Sequence, residues 1–150
     1  MKLTSMDKIL DFAIEKEEDA YQFYTELAGK MQKPQMKKVF ESFAQEEQGH
    51  KKKLLGLKQG KFVMPAKEKI QDLKIAEHVT DVTPTADLDF QEALILAMKA
   101  EKAAFKLYSD LAEASDNANT KNLFLALAQE EARHKLRFEV EYDDYTYKDN

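Results

Sequence analysis

One decapeptide occurs twice in this chain, and the repetition limits the folds that the sequence can adopt. AQEEQGHKKK (Ala44–Lys53) is followed 84 residues later by AQEEARHKLR (Ala128–Arg137). The same offset aligns the rest of the two halves without a gap, which indicates an internal duplication. We therefore predict one domain over residues 1–150, built from two related units at approximately 8–58 and 92–142. Aligned pairs include Leu10 with Leu94, Glu17 with Glu101, Tyr24 with Tyr108 and Phe40 with Phe124.

Each unit shows the apolar spacing of two helices. Apolar residues recur at intervals of three and four, which is typical of one face of a helix. Polar breaks at 29–33 and 115–119 separate the helices of each unit, and Pro34 suits the first turn of a helix. Glycine (4) and proline (3) are scarce, which favours long helices. In the first helix the apolar positions are Leu10, Ala13, Ile14, Ala20, Tyr21, Tyr24, Leu27 and Ala28.

A long connection, residues 59–87, separates the two units. It far exceeds a tight turn between helices. Extended chain spans about 3.3 Å per residue, so this segment can run the length of a bundle. The sequence predicts an all-α four-helix bundle with one long crossover, which makes helices two and three parallel. A short helix is predicted around 67–73.

Composition excludes several classes of function. The net charge of −5 gives no basic face for nucleic acid. The absence of cysteine excludes disulfides, thiolate metal sites and a built-in rubredoxin centre. Neither a signal peptide nor a membrane-spanning stretch is evident in the sequence, so we expect a cytoplasmic protein without a membrane partner.

Polar residues interrupt the apolar stripes near the middle of all four helices. A buried carboxylate without a partner costs several kcal/mol. Four of them would repel one another in a domain stable by only about 5–15 kcal/mol. The pattern therefore predicts positive charge among them. These residues are Glu17, Glu47, His50, Glu101, Glu131 and His134.

Ordinary explanations account for single members of this set. A helical glutamate is usually solvated, and a core histidine is often satisfied by a carbonyl group. A Glu and a His three residues apart can form a weak surface pair. We interpret seven other glutamates as solvated, namely Glu15, Glu18, Glu26, Glu41, Glu46, Glu113 and Glu130. These explanations fail for the six inward residues taken together.

Two divalent cations would neutralise four carboxylates, and mixed oxygen and imidazole donors suit iron, manganese or zinc. One Glu from each of two helices, with Glu-x-x-His from each of the other two, is the pattern of ferritin-like di-iron and di-manganese bundles. We therefore predict two iron ions, with manganese or zinc as alternatives. All six inward residues are predicted metal ligands.

At these residues the chain resembles the rubrerythrin family of the ferritin-like superfamily over nearly its whole length. Both Glu-to-Glu spacings and the tyrosines seven residues after Glu17 and Glu101 agree with that family. The resemblance implies that Glu47 and Glu131 bridge the metals, while the other two Glu–His pairs cap them. Two departures are the missing rubredoxin domain and Ala104, which stands where the family tends to carry a seventh carboxylate.

Two further features have open interpretations. Tyr24 and Tyr108 are either core aromatics or hydrogen-bond donors that orient a ligand carboxylate. The C-terminal EYDDYTYKDN is interpreted as a solvated acidic tail, with docking of a redox partner as the alternative.

The resemblance implies reduction of hydrogen peroxide or dioxygen, with electrons from an external donor such as a rubredoxin. One alternative is a ferroxidase or iron-storage protein, and another is a non-catalytic interaction bundle stabilised by zinc. We expect a homodimer, either swapped through the crossover or not.

Overall fold

Two helical hairpins make up the structure. The computed structural model describes residues 6–59, 74–77, 82 and 88–148. The first hairpin consists of α1 (Met6–Lys30) and α2 (Pro34–Lys58), and the second consists of α3 (Phe90–Ala114) and α4 (Ala118–Lys148). A 3-10 turn, Ile75–Glu77, belongs to the crossover. The prediction of an all-α ferritin-like bundle is confirmed.

Local signals in the sequence set the starts of the helices. Pro34 is the first residue of α2, where its missing N–H needs no partner. Asp89 and Glu92 form a capping box before α3. Asn117 accepts a hydrogen bond from the backbone N–H of Thr120 (3.0 Å), so α4 begins inside the predicted break at 115–119.

The apolar core is divided into two clusters, one at each end of the bundle. One cluster joins the end of α1 and the start of α2 to the start of α3 and the end of α4. It includes Leu27, Phe40, Leu94 and Phe138. The other includes Leu10, Leu54, Leu111 and Leu123, from the opposite helix ends. Because α2 and α3 both start in the first cluster, these two helices are parallel, and the end of α2 and the start of α3 lie at opposite ends of the bundle.

The acidic and aromatic C-terminal stretch differs in part from its prediction. Its described acidic residues are exposed as predicted, but the stretch is helical, since α4 continues to Lys148. Tyr142 and Tyr145 pack against the core, and the ring of Tyr145 meets that of Phe90 edge-on at 5.2 Å. These tyrosines lie four and seven residues after Phe138, so they extend its buried stripe. The predicted helix at 67–73 lies outside the described residues.

In the described part of the chain, no helix combines the length and apolar character that a membrane span requires.

Candidate metal centre

Six polar side chains lie between the two apolar clusters. α1 and α3 each supply one glutamate, while α2 and α4 each supply a glutamate and a histidine three residues later. A spacing of three places each Glu–His pair on one helix face. All six residues are at most 4% exposed: Glu17, Glu47, His50, Glu101, Glu131 and His134. The prediction that these residues face the bundle interior is confirmed.

The six residues form two overlapping groups of four. Glu47 and Glu131 belong to both groups. Glu17 and His50 complete the first group, and Glu101 and His134 complete the second. Within each group one ligand atom from every residue lies within 4.8 Å of the others. The geometry thus offers two adjacent sites that share two carboxylates.

The Nδ1 atoms of both imidazoles face the carboxylates. Nδ1 of His50 lies 3.0 Å from Oε1 of Glu131 and 3.5 Å from Oε1 of Glu17. Nδ1 of His134 lies 3.1 Å from Oε1 of Glu47 and 3.5 Å from Oε1 of Glu101.

These contacts are not aligned as hydrogen bonds. Both Nδ1 atoms lack a hydrogen-bond partner, as do Nε2 of His134 and one buried oxygen of each of the four glutamates. Buried polar atoms normally find partners. Buried donor atoms that point towards one another without forming hydrogen bonds are arranged as metal ligands are. The residues present therefore suit a pair of metal ions.

Two tyrosines connect the hairpins through the outer carboxylates. Tyr24 of the first hairpin donates its hydroxyl proton to Glu101 of the second, and Tyr108 of the second donates to Glu17 of the first. Both tyrosines are 1% exposed. Burial and the nearby carboxylate raise the pKa of each well above 10, so both remain donors. Of the two interpretations of these tyrosines, the structure agrees with hydrogen-bond donors to the inward carboxylates. Each hydrogen bond joins one hairpin to the other.

Protons can balance the charges of this centre in the absence of metal. Burial and the charge of Glu131 raise the pKa of Glu47 well above its usual range, and burial and Glu101 do the same for Glu131. Burial lowers the pKa of His50, but its contacts with Glu131 and Glu17 outweigh this effect and raise it to about 10. The sequence argument assigned the positive charge to metal ions and omitted this second source.

Glu46 and Glu130, which we predicted to be solvated, are half-buried beside the centre. Oε2 of Glu46 lies 3.1 Å from Nε2 of His134. This contact, opposed by burial and aided by Arg137, lowers the pKa of Glu46. Glu130 pairs with Arg133 at 2.7 Å. The prediction was wrong because the periodicity of one helix does not show which neighbouring helix covers its polar face.

A second charged cluster, here named the crossover anchor, lies on the second hairpin. Nζ of Lys135 is 3.3 Å from Oε2 of Glu139 and 3.5 Å from Oε1 of Glu77. The same Glu139 oxygen accepts the backbone N–H of Ala76 at 3.0 Å. Glu77 also lies 3.3 Å from Nζ of Lys102. These contacts hold the 3-10 turn on α3 and α4, and the sequence analysis missed them.

Comparison with known proteins agrees with this architecture. A model of the rubrerythrin family matches residues 8–142. A solved structure of a hypothetical protein, Pfu-1136390-001 from Pyrococcus furiosus, is 27% identical, with a TM-score of 0.64. The match covers 93% of this chain and 89% of that one. No curated protein matches.

Proposed function

Because the chain belongs to the rubrerythrin family, we propose that it is a di-iron protein that reduces hydrogen peroxide to water. One observation carries this proposal: two buried groups of four ligands share Glu47 and Glu131, and their donor atoms converge without hydrogen-bond partners. In the proposed centre Glu47 and Glu131 would be ligands of both ions. Glu17 with His50 holds one ion, and Glu101 with His134 holds the other.

The donor set supports a redox metal. Carboxylate oxygens with one imidazole per ion suit iron, and also manganese or zinc, better than magnesium or calcium. Four ionised carboxylates balance two divalent ions, so the filled centre would be neutral. Loading the centre displaces protons from the imidazoles and from the shared carboxyl groups, since ligands bind in their deprotonated form.

Ferrous ions held by these residues would supply the two electrons that, with two protons, convert one hydrogen peroxide into two waters. The chain's own residues keep the geometry. Tyr24 and Tyr108 fix the outer carboxylates by hydrogen bonds from the opposite hairpin. The edge of Phe43 packs on the ring of His134 at 4.7 Å. The apolar clusters above and below exclude bulk water from the centre.

The electrons must come from another protein. The chain has no cysteine and hence no rubredoxin-type centre of its own. We propose a separate one-electron carrier, such as a rubredoxin, as the reductant that returns the centre to the ferrous state. We further propose that the chain acts as a homodimer, which sedimentation at several concentrations tests.

Stopped-flow absorbance of the anaerobic ferrous protein tests the activity. We expect about one equivalent of peroxide to oxidise each two-metal centre, faster than dioxygen does. The iron should remain bound, and a reduced carrier protein should restore the starting spectrum. A Glu47→Gln and Glu131→Gln double variant provides the control, because it removes the shared carboxylates while preserving side-chain shape.

Iron storage is the competing function, since the six ligands form a symmetric set without a seventh carboxylate. Storage requires dioxygen or peroxide to oxidise iron that then leaves the centre. Preference for dioxygen, release of ferric iron and sedimentation as a large shell after iron loading would overturn the peroxidase proposal.

A further inference from the structure

The two histidines of the centre have different surroundings at their outer edges. Oε2 of Glu46, on α2, approaches Nε2 of His134, on α4, at 3.1 Å. The same oxygen lies 3.3 Å from a guanidinium nitrogen of Arg137, whose carbon lies 4.4 Å from the centre of the Phe43 ring. Phe43 also contacts His134 directly. The ring of His134 thus lies against a carboxylate, at a short distance that is not aligned as a hydrogen bond, and against an aromatic ring.

Position 130 is the equivalent of position 46 in the second hairpin, and it behaves differently. Glu130 lies near enough to both histidines that one ligand atom from each of the three residues falls within 4.8 Å of the others. Its carboxylate is nevertheless paired with Arg133, three residues later on the same helix, at 2.7 Å.

The sequences of the two hairpins differ at the residues that surround these carboxylates. The residue equivalent to Arg133 in the first hairpin is Gly49. Glycine offers no cation to Glu46, which is directed across the helix interface to His134 and Arg137. Arginine at 133 instead offers Glu130 a partner on its own helix. The hairpins differ at two further partners, since Arg137 is aligned with Lys53 and Phe43 with Leu127.

We propose that Glu46 is a positioning residue for His134 and makes the two metal subsites unequal. The Glu101–His134 subsite binds a divalent ion more tightly than the Glu17–His50 subsite. The inference rests on the proposed two-metal centre. A histidine that binds metal through Nδ1 carries its proton on Nε2, and a carboxylate there fixes the ring and increases its basicity. Loss of such a partner typically lowers metal affinity by about 10–100-fold.

Titration of the metal-free protein with Co²⁺ alone tests the proposal by calorimetry and visible absorbance. We expect two resolved binding steps for the unchanged protein. Glu46→Gln should weaken the tighter step by about 10–100-fold and bring the two steps together. Glu130→Gln is the matched control, and it should leave the tighter step unchanged. Both positions are half-exposed, so metal-free thermal melting should confirm that each variant folds.

Arg133→Ala provides the converse test. It removes the local partner of Glu130 and gives the second hairpin a small residue where the first has Gly49. Glu130 can then turn towards His50, and we expect the weaker step to tighten by up to about 10-fold. An Arg137→Ala variant should weaken the tighter step, because Arg137 helps to hold Glu46 in place.

The results separate this inference from the function on which it rests. Fewer than two bound ions in the unchanged protein would contradict the two-metal centre itself. Two ions of equal affinity, or equal weakening of both steps by Glu46→Gln, would leave the centre intact and overturn the positioning role of Glu46.

Discussion

The two hairpins make similar side-chain contacts at the centre, where they meet, and carry different charges on their outer surfaces. At the centre the contacts between the inward-facing residues of the two hairpins are paired: His50 approaches Glu131 as His134 approaches Glu47, and the two tyrosine bonds are reciprocal. On the outer surface the charges diverge. The comparison indicates that the residues of the centre are constrained by each other. Residues on the outer surfaces of the two hairpins meet different neighbours, so their identities can differ.

The crossover accounts for the largest outer difference. In the first hairpin Lys51 forms a half-exposed pair with Glu18 at 3.0 Å. The equivalent of Lys51 is Lys135, which is only 5% exposed. The equivalent of Glu18 is Lys102, so the pair of opposite charges becomes two lysines. Glu77 from the crossover lies between these lysines and contacts both.

The largest expected effect is the loss of metal binding when the residues common to both hairpins at the centre are changed. Glu47→Ala and Glu131→Ala each remove a shared carboxylate, so each should lose most of the approximately two bound metal ions. Equilibrium dialysis followed by metal analysis measures the loss. The exposed Glu15→Ala variant should bind as the unchanged protein does. Tight retention of two ions by either variant would contradict the assignment of Glu47 and Glu131 as shared ligands.

The asymmetric part predicts unequal effects on stability. Lys135→Met removes a positive charge that balances the fully buried carboxylate of Glu139. Breaking a buried ion pair costs about 3 kcal/mol. Lys51→Met removes a surface pair worth at most about 1 kcal/mol. Urea unfolding of the metal-free variants compares the two free energies of unfolding. Equal losses would mean that the crossover anchor does not stabilise the second hairpin.

The pH dependence of the metal-free protein tests the role of protons. The pKa of His50 is raised from 6.5 to about 10, so its stabilising effect is full below pH 6.5 and is lost as the pH rises towards 10. The raised pKa values of Glu47 and Glu131 act in the same direction. We expect the melting temperature to fall across this interval, by several degrees or about 1 kcal/mol or more.

His50→Asn should flatten part of this decline, and metal-saturated protein should not show it. A metal-free melting temperature that stays constant between pH 6.5 and 10 would contradict protonation as the source of balancing charge.

Gly49 should give the smallest effect. A Cβ added there meets no atom within 4 Å, and a helical glycine is less stable than alanine by about 0.5–1 kcal/mol. Gly49→Ala should therefore raise the free energy of unfolding by that amount without moving Glu46. Thermal melting and the Co²⁺ titration together measure both properties. A destabilised Gly49→Ala protein would mean that the space beside Gly49 is needed by the fold.

Much of the fold could be predicted from the sequence because its signals are local or periodic. Pro34 marks a helix start, and the apolar spacing identifies which helix face is buried. Burial of the six polar residues follows from the same spacing, since Glu47 and His50 interrupt a stripe that continues to Leu54.

The remainder depends on contacts between helices, which periodicity does not specify. Glu46 and Glu130 have the same position on their helices, and only the packing of α2 on α4 shows that Glu46 meets His134. Glu139 looks like a surface residue until Ala76 of the crossover is placed over it. The sequence offered one clue that could have been used: Glu139 is aligned with Leu55, and a charge in place of a leucine indicates a changed environment.

The reciprocal tyrosine bonds have a consequence for how such a protein can evolve. Two copies of one hairpin related by twofold symmetry could make the same bonds, but every mutation would then appear on both sides of the centre. In a single chain that contains both hairpins, each hairpin is encoded separately and can mutate without the other. Arg133 can therefore exist without an arginine at position 49, and a centre that began with equal halves is free to specialise one of them.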